Sequence, residues 1–319
     1  MYMKTLPHAQ TAVGIFHARS RPRPLQWIAA AIMGGLAAAV VVSLATNPAY
    51  QWDVVATYFW SDKVISGLGL TLLLSALAMT IGILLGIVIA VMRRSRNKLL
   101  SIIGTAYVAL FRGTPLLVQL ILWFNLAALY PVIRLGIPFG PSVSSWDTNQ
   151  LITPILAAVL ALGLNEAAYM SEIVRGGIES VDEGQPEAAT ALGMSGRKTF
   201  MRIVLPQALR VIIPPTGNQV IGMLKMTSIV SVIGTSELLY SVQTIYTRTY
   251  QVIPLLIVAS IWYFIMTTIL TYLQGLLERR ISGKATKTRK TRAISMNRLK
   301  MRKTPAISMS HLKTRRAKP

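Results

Sequence analysis

The chain has 319 residues, 53% of them hydrophobic and only 14% charged, and it contains no cysteine. A soluble domain averages about 25% charged residues, so lipid is the expected main solvent, and the missing cysteines exclude disulfides, thiolate metal sites and cysteine nucleophiles. The formal charge of +22 suggests a nucleic-acid binder until its distribution is read: fifteen Lys or Arg and no acid lie from Arg279 to Pro319, leaving +7 for everything before.

A helix needs about 20 largely apolar residues to cross a hydrocarbon core. Six segments qualify, at 25–45, 64–92, 114–132, 151–174, 212–239 and 252–277. Arg19, Arg21 and Arg23 precede the first of these as they would a signal peptide. Its apolar run is longer than a signal's hydrophobic region of about 7–15 residues, and no strong small-residue cleavage site follows, so it reads as a retained span. The expected fold class is all-α, a polytopic membrane protein with about six spans. Apolar residues 99–111 are cut from the third span by Arg112-Gly113-Thr114-Pro115, where Pro115 suits the first turn of a new helix; 99–111 is therefore expected as an inner-surface or re-entrant helix.

Orientation follows the cations. Lys4, Arg19, Arg21 and Arg23 lie in the N-tail, Arg93, Arg94, Arg96 and Lys98 after the second span, and Arg175, Arg197, Lys198, Arg202 and Arg210 around the link after the fourth. The alternate loops carry Asp53, Asp62 and Asp147 with only Lys63, Arg134 and Arg248. Both termini are thus expected in the cytoplasm. Trp52, Tyr58, Trp60, Tyr130, Trp146, Tyr240, Tyr246 and Tyr250 fall at the outer ends, as an interfacial belt would.

The organisation that follows is a basic N-tail at 1–24, a span at 25–45, an outer, periplasmic loop at 46–63, a main membrane domain at 64–277 containing the link 176–206, and a basic tail at 278–319. The tail holds a tandem repeat, Lys290 to Lys300 recurring as Lys303 to Lys313. Two copies are too few for a solenoid. The tail is expected as a disordered extension on anionic headgroups, with RNA binding the sharper alternative.

The link carries the most informative pattern. It reads Glu187-Ala188-Ala189, three residues, Gly193, nine residues, then Ile203, one residue, Leu205-Pro206. Residues 179–192 can form a short helix with Glu179, Asp182 and Glu183 early, where they complement the helix dipole. Ala188, Ala189 and Ala191 offer a small-residue face to another protein, and Gly193 permits the left-handed turn that ends the helix. A short helix held away from the membrane by two arms is a mechanical plug for a soluble partner.

This pattern matches at every position the E-A-A-x-x-x-G-x9-I-x-L-P signature, and the chain resembles the permease subunits of binding-protein-dependent ABC importers. Phe111-Arg-Gly-Thr-Pro-Leu-Leu-Val-Gln-Leu120, the run from Leu164 to Ile178, and Pro214-Pro-Thr-Gly-Asn218 are similar to their polar amino acid branch, and the likeness covers about 66–277 in order. The resemblance implies a type I importer transmembrane domain that pairs with a second permease, identical or sister, and docks ABC ATPase subunits through the Glu187 helix. A periplasmic binding protein would deliver the amino acid, and ATP and Mg would sit on the partner ATPase. Five core spans are usual in the family, so 25–45 looks added, and the repeated tail is foreign to it.

Catalytic machinery is absent from the sequence. No G-x-x-x-x-G-K-[ST] phosphate loop occurs, and His8, His17 and His311 all lie in the tails, so no cofactor, metal or enzymatic activity is expected of this chain. Charges at bilayer depth cost about 2.5–3.5 kcal/mol, so those present are expected to face a cavity or a partner. Glu166, with Asn165 beside it and Tyr169 one turn on, and Lys225, with Asn218 seven residues before it and Thr227 after, form the candidate substrate path. A buried Glu166–Lys225 pair that fixes helix packing is the bland alternative, as is a Glu172–Arg175 ion pair near the inner end. Gly82 and Gly86 are spaced for close helix packing. The rival function is an ion-gradient-driven secondary transporter or channel, which would more often show inverted repeats with interrupted spans in both halves.

Overall fold

The computed structural model describes residues 24–136 and 142–302. The expected N-tail, the second copy of the tail repeat and the end of the chain lie outside the described residues. The chain divides into two units, residues 1–51 and 52–319. In the first, helix α1 (Pro24–Thr46) is apolar all round and exposed along its length, as suits a helix whose solvent is lipid. Asn47 then accepts the Ala49 N–H at 3.0 Å and starts a single 3₁₀ turn, Pro48–Tyr50.

The second unit begins with α2 (Trp52–Phe59) and the 32-residue α3 (Asp62–Arg93). At 1.5 Å per residue α3 is about 48 Å long, more than the hydrocarbon thickness. Asn97 accepts the Leu99 N–H at 2.9 Å and starts α4 (Lys98–Gly113), after which the chain turns by 101° into α5 (Leu116–Phe124). A short α6 (Leu126–Leu129) leads to a hairpin of β1 (Val132–Gly136) and β2 (Ser142–Asp147), antiparallel, with Val132 opposite Asp147 and Ile133 opposite Trp146. Asp147 accepts the Asn149 N–H at 2.8 Å to cap α7 (Thr148–Leu151), and Thr153 with Pro154 opens α8 (Pro154–Glu179).

The link contains α9 (Gly184–Ala191), α10 (Gly196–Thr199) and a π turn over Phe200–Val204. Helix α11 (Leu205–Met226) continues as a 3₁₀ segment, Thr227–Ile233, which Gly234 ends at φ 74°; α12 (Leu238–Thr249) and α13 (Val252–Arg302) complete the described residues. Among the described residues four helices are long and apolar enough to cross a membrane, and up to six crossings result if the bent pairs, α4 with α5 and Gly196–Ile233 with α12, are each one span.

Two expectations are corrected. Residues 114–132 are not one straight span: α5 has nine residues and rises only about 14 Å. The breaks are at Pro115, which cannot donate to the α4 ladder, and at Asn125. The fifth span is not 212–239, since α11 starts at Leu205 and helical geometry changes at Thr227. Helix α13 runs past its apolar part to Arg302, in a stretch where no Pro stands between Gly283 and Pro305 and Ala, Lys, Arg, Met and Leu favour helix.

The seam of the bundle is α3 against α8. Leu74, Ala78 and Met79 of α3 interlock with Ala158, Ala161, Leu162 and Met170 of α8. A Cβ on Gly82 would lie 2.6 Å from Cγ of Glu166, and one on Gly86 would lie 2.6 Å from Cβ of Met170. A second cluster joins α2, α3, α12 and α13 around Val64, Leu238, Leu255 and Trp262. There the Trp262 indole stacks on Phe59 at 4.7 Å and donates to the Phe59 carbonyl at 3.0 Å.

Candidate functional site

The link begins where α8 ends. The Ser180 N–H bonds the Gly176 carbonyl at 3.0 Å, and Asp182 Oδ1 accepts the Gly184 N–H at 2.8 Å, so the short helix starts at Gly184 rather than at Glu179. Glu179 belongs to α8 and only Glu187 sits in the first turn of α9. Ala189 is buried against the rest of the link while Glu187 and Ala188 face outward. At the other end Gly193 has φ 76°, its N–H bonds the Thr190 carbonyl at 2.9 Å, and the Met194 N–H bonds the Ala189 carbonyl at 3.0 Å. These two bonds are those of a Schellman turn, which ends α9 and redirects the chain. Ile203 in the π turn and Leu205 at the start of α11 are half-buried, and Pro206 lies exposed in the first turn of α11, where a missing N–H breaks little. The turn leaves Leu192 83% exposed, with Phe200 and Met201 also exposed further along the link.

Glu172 is the centre of the polar groups at this end of the bundle. Its carboxylate meets Arg93 at 2.8 Å, Arg175 at 2.7 Å and Arg112 at 3.5 Å. Glu179 meets Arg175 at 2.6 Å and Arg94 at 3.7 Å. The anticipated Glu172–Arg175 pair is thus one edge of a network that ties α3, α4 and α8 together.

Deeper in the bundle the proposed path residues separate. Asn165 is buried and donates from Nδ2 to the Phe111 carbonyl at 2.9 Å and to Gln119 Oε1 at 3.2 Å. Gln119 Nε2 in turn donates to the Phe111 and Thr114 carbonyls at 2.9 and 3.1 Å and to Thr114 Oγ at 2.8 Å. Carbonyls freed by the α4–α5 break are thereby satisfied without water, so Asn165 holds the corner. Glu166 is 2% exposed and accepts a 3.0 Å bond from Gln219 Nε2. The Glu166–Lys225 pair does not form among the described residues: Lys225 is exposed, and six residues along α11 it is turned by about 120° from Gln219. Thr227 is buried and donates to the Leu224 carbonyl at 2.7 Å. Tyr169 is exposed, with the Arg112 guanidinium 5.3 Å above its ring. Asn218 is exposed on the Lys225 side of α11 and accepts from Gln274 Nε2 at 3.1 Å. The structure therefore leaves Tyr169, Asn218 and Lys225 exposed and encloses Asn165, Glu166 and Thr227.

Residues 82–283 match the family described as binding-protein-dependent transport system inner membrane components. The chain belongs to that family. Among its relatives, the arginine transport system permease protein of Corynebacterium glutamicum is 42% identical over 275 residues, 85% of each chain. The L-cystine transport system permease protein TcyB of Bacillus subtilis is 36% identical over 246 residues, 77% of this chain and 97% of that one. A crystal structure of an amino acid ABC transporter with histidines superposes with a TM-score of 0.61 at 38% identity, over 70% of this chain and 97% of that one. An inward-facing methionine ABC transporter shares the fold alone, with a TM-score of 0.52 at 16% identity over 68% and 95% of the two chains.

One buried group of this permease is not anticipated from its sequence. Glu237 is fully buried where the 3₁₀ segment gives way to α12. Its carboxylate accepts the Tyr240 and Leu239 N–H groups at 2.8 and 3.0 Å and the Tyr263 hydroxyl at 2.9 Å. Thr71 of α3 accepts the Leu238 N–H at 3.1 Å beside it. The available signal was Ser236-Glu237 directly before an apolar helix, a capping pattern that a search for spans absorbs into the hydrophobic run. Among the described residues no group of three His, Cys, Asp or Glu could hold a metal ion.

Proposed function

We propose that this permease takes amino acids across the bacterial inner membrane with both its termini in the cytoplasm, and that residues 176–206 dock a separate ABC ATPase. The observation that carries the reading is the Schellman turn at Gly193, which leaves Glu187, Ala188 and Leu192 on the outer surface of a short helix tethered at both ends. Glu187, Ala188, Ala189, Gly193, Ile203, Leu205 and Pro206 are the coupling residues in this reading. The partner ATPase holds ATP and Mg and does the hydrolysis, so this chain is not itself an enzyme. A second permease and a periplasmic binding protein complete the assembly, and α1 is an added span. Tyr169, Asn218 and Lys225 give the bundle exposed polar groups of the kind a zwitterionic solute needs, and they mark the face on which the path forms. Relatives named for arginine and cystine transport support an amino acid as the substrate.

The test is direct. Gly193→Asp places a side chain on a left-handed backbone, which costs about 1–2 kcal/mol locally, and puts a charge beside the docking helix. The variant should accumulate in the membrane at the normal level. Co-purification with the ATPase and binding-protein-stimulated hydrolysis should fall at least about tenfold, equivalent to some 1.4 kcal/mol of docking energy. Normal stimulated hydrolysis in Gly193→Asp, and in Glu187→Arg beside it, would refute the coupling assignment.

A further inference from the structure

Glu172, Arg175 and Glu179 share one face of the last two turns of α8, at the three- and four-residue spacing that brings side chains together. Arg175 bridges the two acids at 2.7 and 2.6 Å, so the last residue of α8, from which the link departs, is stiffly joined to Glu172. Arg93, the last residue of α3, holds Glu172 from the far side at 2.8 Å. Arg112 is different. It stands one residue before the end of α4, at the corner of the 101° bend into α5. Its contact with Glu172 is longer, 3.5 Å, its side chain is 44% exposed, and its guanidinium has a second seat over the Tyr169 ring at 5.3 Å. Three arginines compete for one carboxylate, and the longest and wettest contact is the cheapest to break.

We propose that Arg112 and Glu172 form a releasable joint that transmits movement of the 176–206 link to the α4–α5 corner. The joint rests on the coupling role of the link proposed above. Displacing α8's end carries Glu172 with it, because both lie in α8 and Arg175 braces Glu172 to Glu179, while Arg93 ties α3 to the same carboxylate. The corner behind Arg112 is braced by Gln119 and tied to α8 by Asn165, seven residues before Glu172, so the corner and α8 share a fixed point there. Bending of α8 beyond that point therefore falls on the long Arg112 contact to Glu172, and Arg112 either follows Glu172 or shifts along α8 to Tyr169. A contiguous route earns the name coupling only if a perturbation changes the response at its far end.

The absence of cysteine makes that response measurable. A single cysteine at Leu122, 58% exposed on α5, carries an environment-sensitive fluorophore in the complex with ATPase and binding protein, reconstituted in lipid nanodiscs. Vanadate trapping with ATP should change the label signal in the unmodified background. In Arg112→Gln, stimulated hydrolysis should stay within about twofold while the label response falls about fivefold or more, the size of an ordinary coupling free energy. Arg112→Lys, which keeps the charge but not the planar fork, should restore about half of the response. An unchanged response in Arg112→Gln overturns the joint. Hydrolysis and response falling together, or failure of Arg112→Gln to accumulate, overturns it equally, because either marks a fixed structural stay. Gly193→Asp is the separate control: if it keeps stimulated hydrolysis the coupling assignment of the link fails, whereas an unresponsive label with normal hydrolysis concerns the joint alone.

Discussion

Glu166 and Lys225 both lie in membrane-spanning helices, yet the structure treats them in opposite ways. Glu166 is sealed between α3 and α8, in the space that the bare Cα of Gly82 leaves open, and its partner is the neutral amide of Gln219. Lys225 stays exposed. The stability effects of Lys225→Met and Glu166→Gln should therefore add to within about 0.3–0.5 kcal/mol, as for residues without shared partners. Gln219→Leu and Glu166→Leu should not add: Gln219→Leu alone orphans the buried Glu166 carboxyl at about 1–3 kcal/mol, Glu166→Leu leaves the half-buried Gln219 amide without that partner, and the double variant orphans neither. Thermal unfolding in detergent of the single and double variants reads both cycles. A coupling of more than about 1 kcal/mol between positions 166 and 225 would contradict the geometry. At this scale the sequence picked out the polar residues inside the apolar segments but not their partners. Two charges of opposite sign in neighbouring helices invite pairing, whereas an amide such as Gln219 carries no charge to betray its role.

At the scale of elements, α3, α8 and the apolar part of α13 could be read from continuous apolar length, and the Gly193 turn from the one residue type that suits φ 76°. The bend after α4 was visible because Pro115 removes a donor. What followed was not: α5 keeps the composition of a span although its axis turns by 101°, and hydropathy does not record direction. The β1–β2 hairpin and the Glu237 cap were hidden for a related reason, since both lie at the ends of apolar runs where span boundaries were drawn by composition alone. The start of α9 was misplaced because acids at 179, 182 and 183 suit a helix start, while the actual start follows from the Asp182 turn. Packing of α3 on α8 gives a sharp test. On Gly86 a new Cβ would meet the Met170 side chain at 2.6 Å and the Ala167 carbonyl at 3.0 Å, but on Gly69 it would meet nothing within 4 Å. Gly86→Val should lower membrane accumulation and cost about 1–3 kcal/mol as an overpacked seam, while Gly69→Ala should be indistinguishable from the parent in the same melting assay. Equal tolerance of both would mean that α3 and α8 do not meet along this line.

The whole molecule has its charge divided between two regimes. Before residue 279 Arg93, Arg94, Arg112 and Arg175 are spent on Glu172 and Glu179. From Arg279 onward fifteen cations follow without one acid. The family match stops at residue 283, inside α13, although the helix runs on to Arg302. Near an anionic leaflet each cation of such a basic sequence contributes about 1 kcal/mol of attraction. These facts separate transport from membrane-surface binding within a single helix. A chain ended after Gly283 should accumulate normally and import at the parent rate in vesicles of neutral lipid, where the basic extension has nothing to bind. The peptide of residues 284–319 should bind vesicles containing phosphatidylglycerol, with an affinity that collapses as salt is raised, because exposed charges are screened over about 8 Å at physiological ionic strength. Loss of import at unchanged protein level in the shortened chain would place the extension inside the transport cycle, and the boundary between the two regimes would then have to move beyond Arg302.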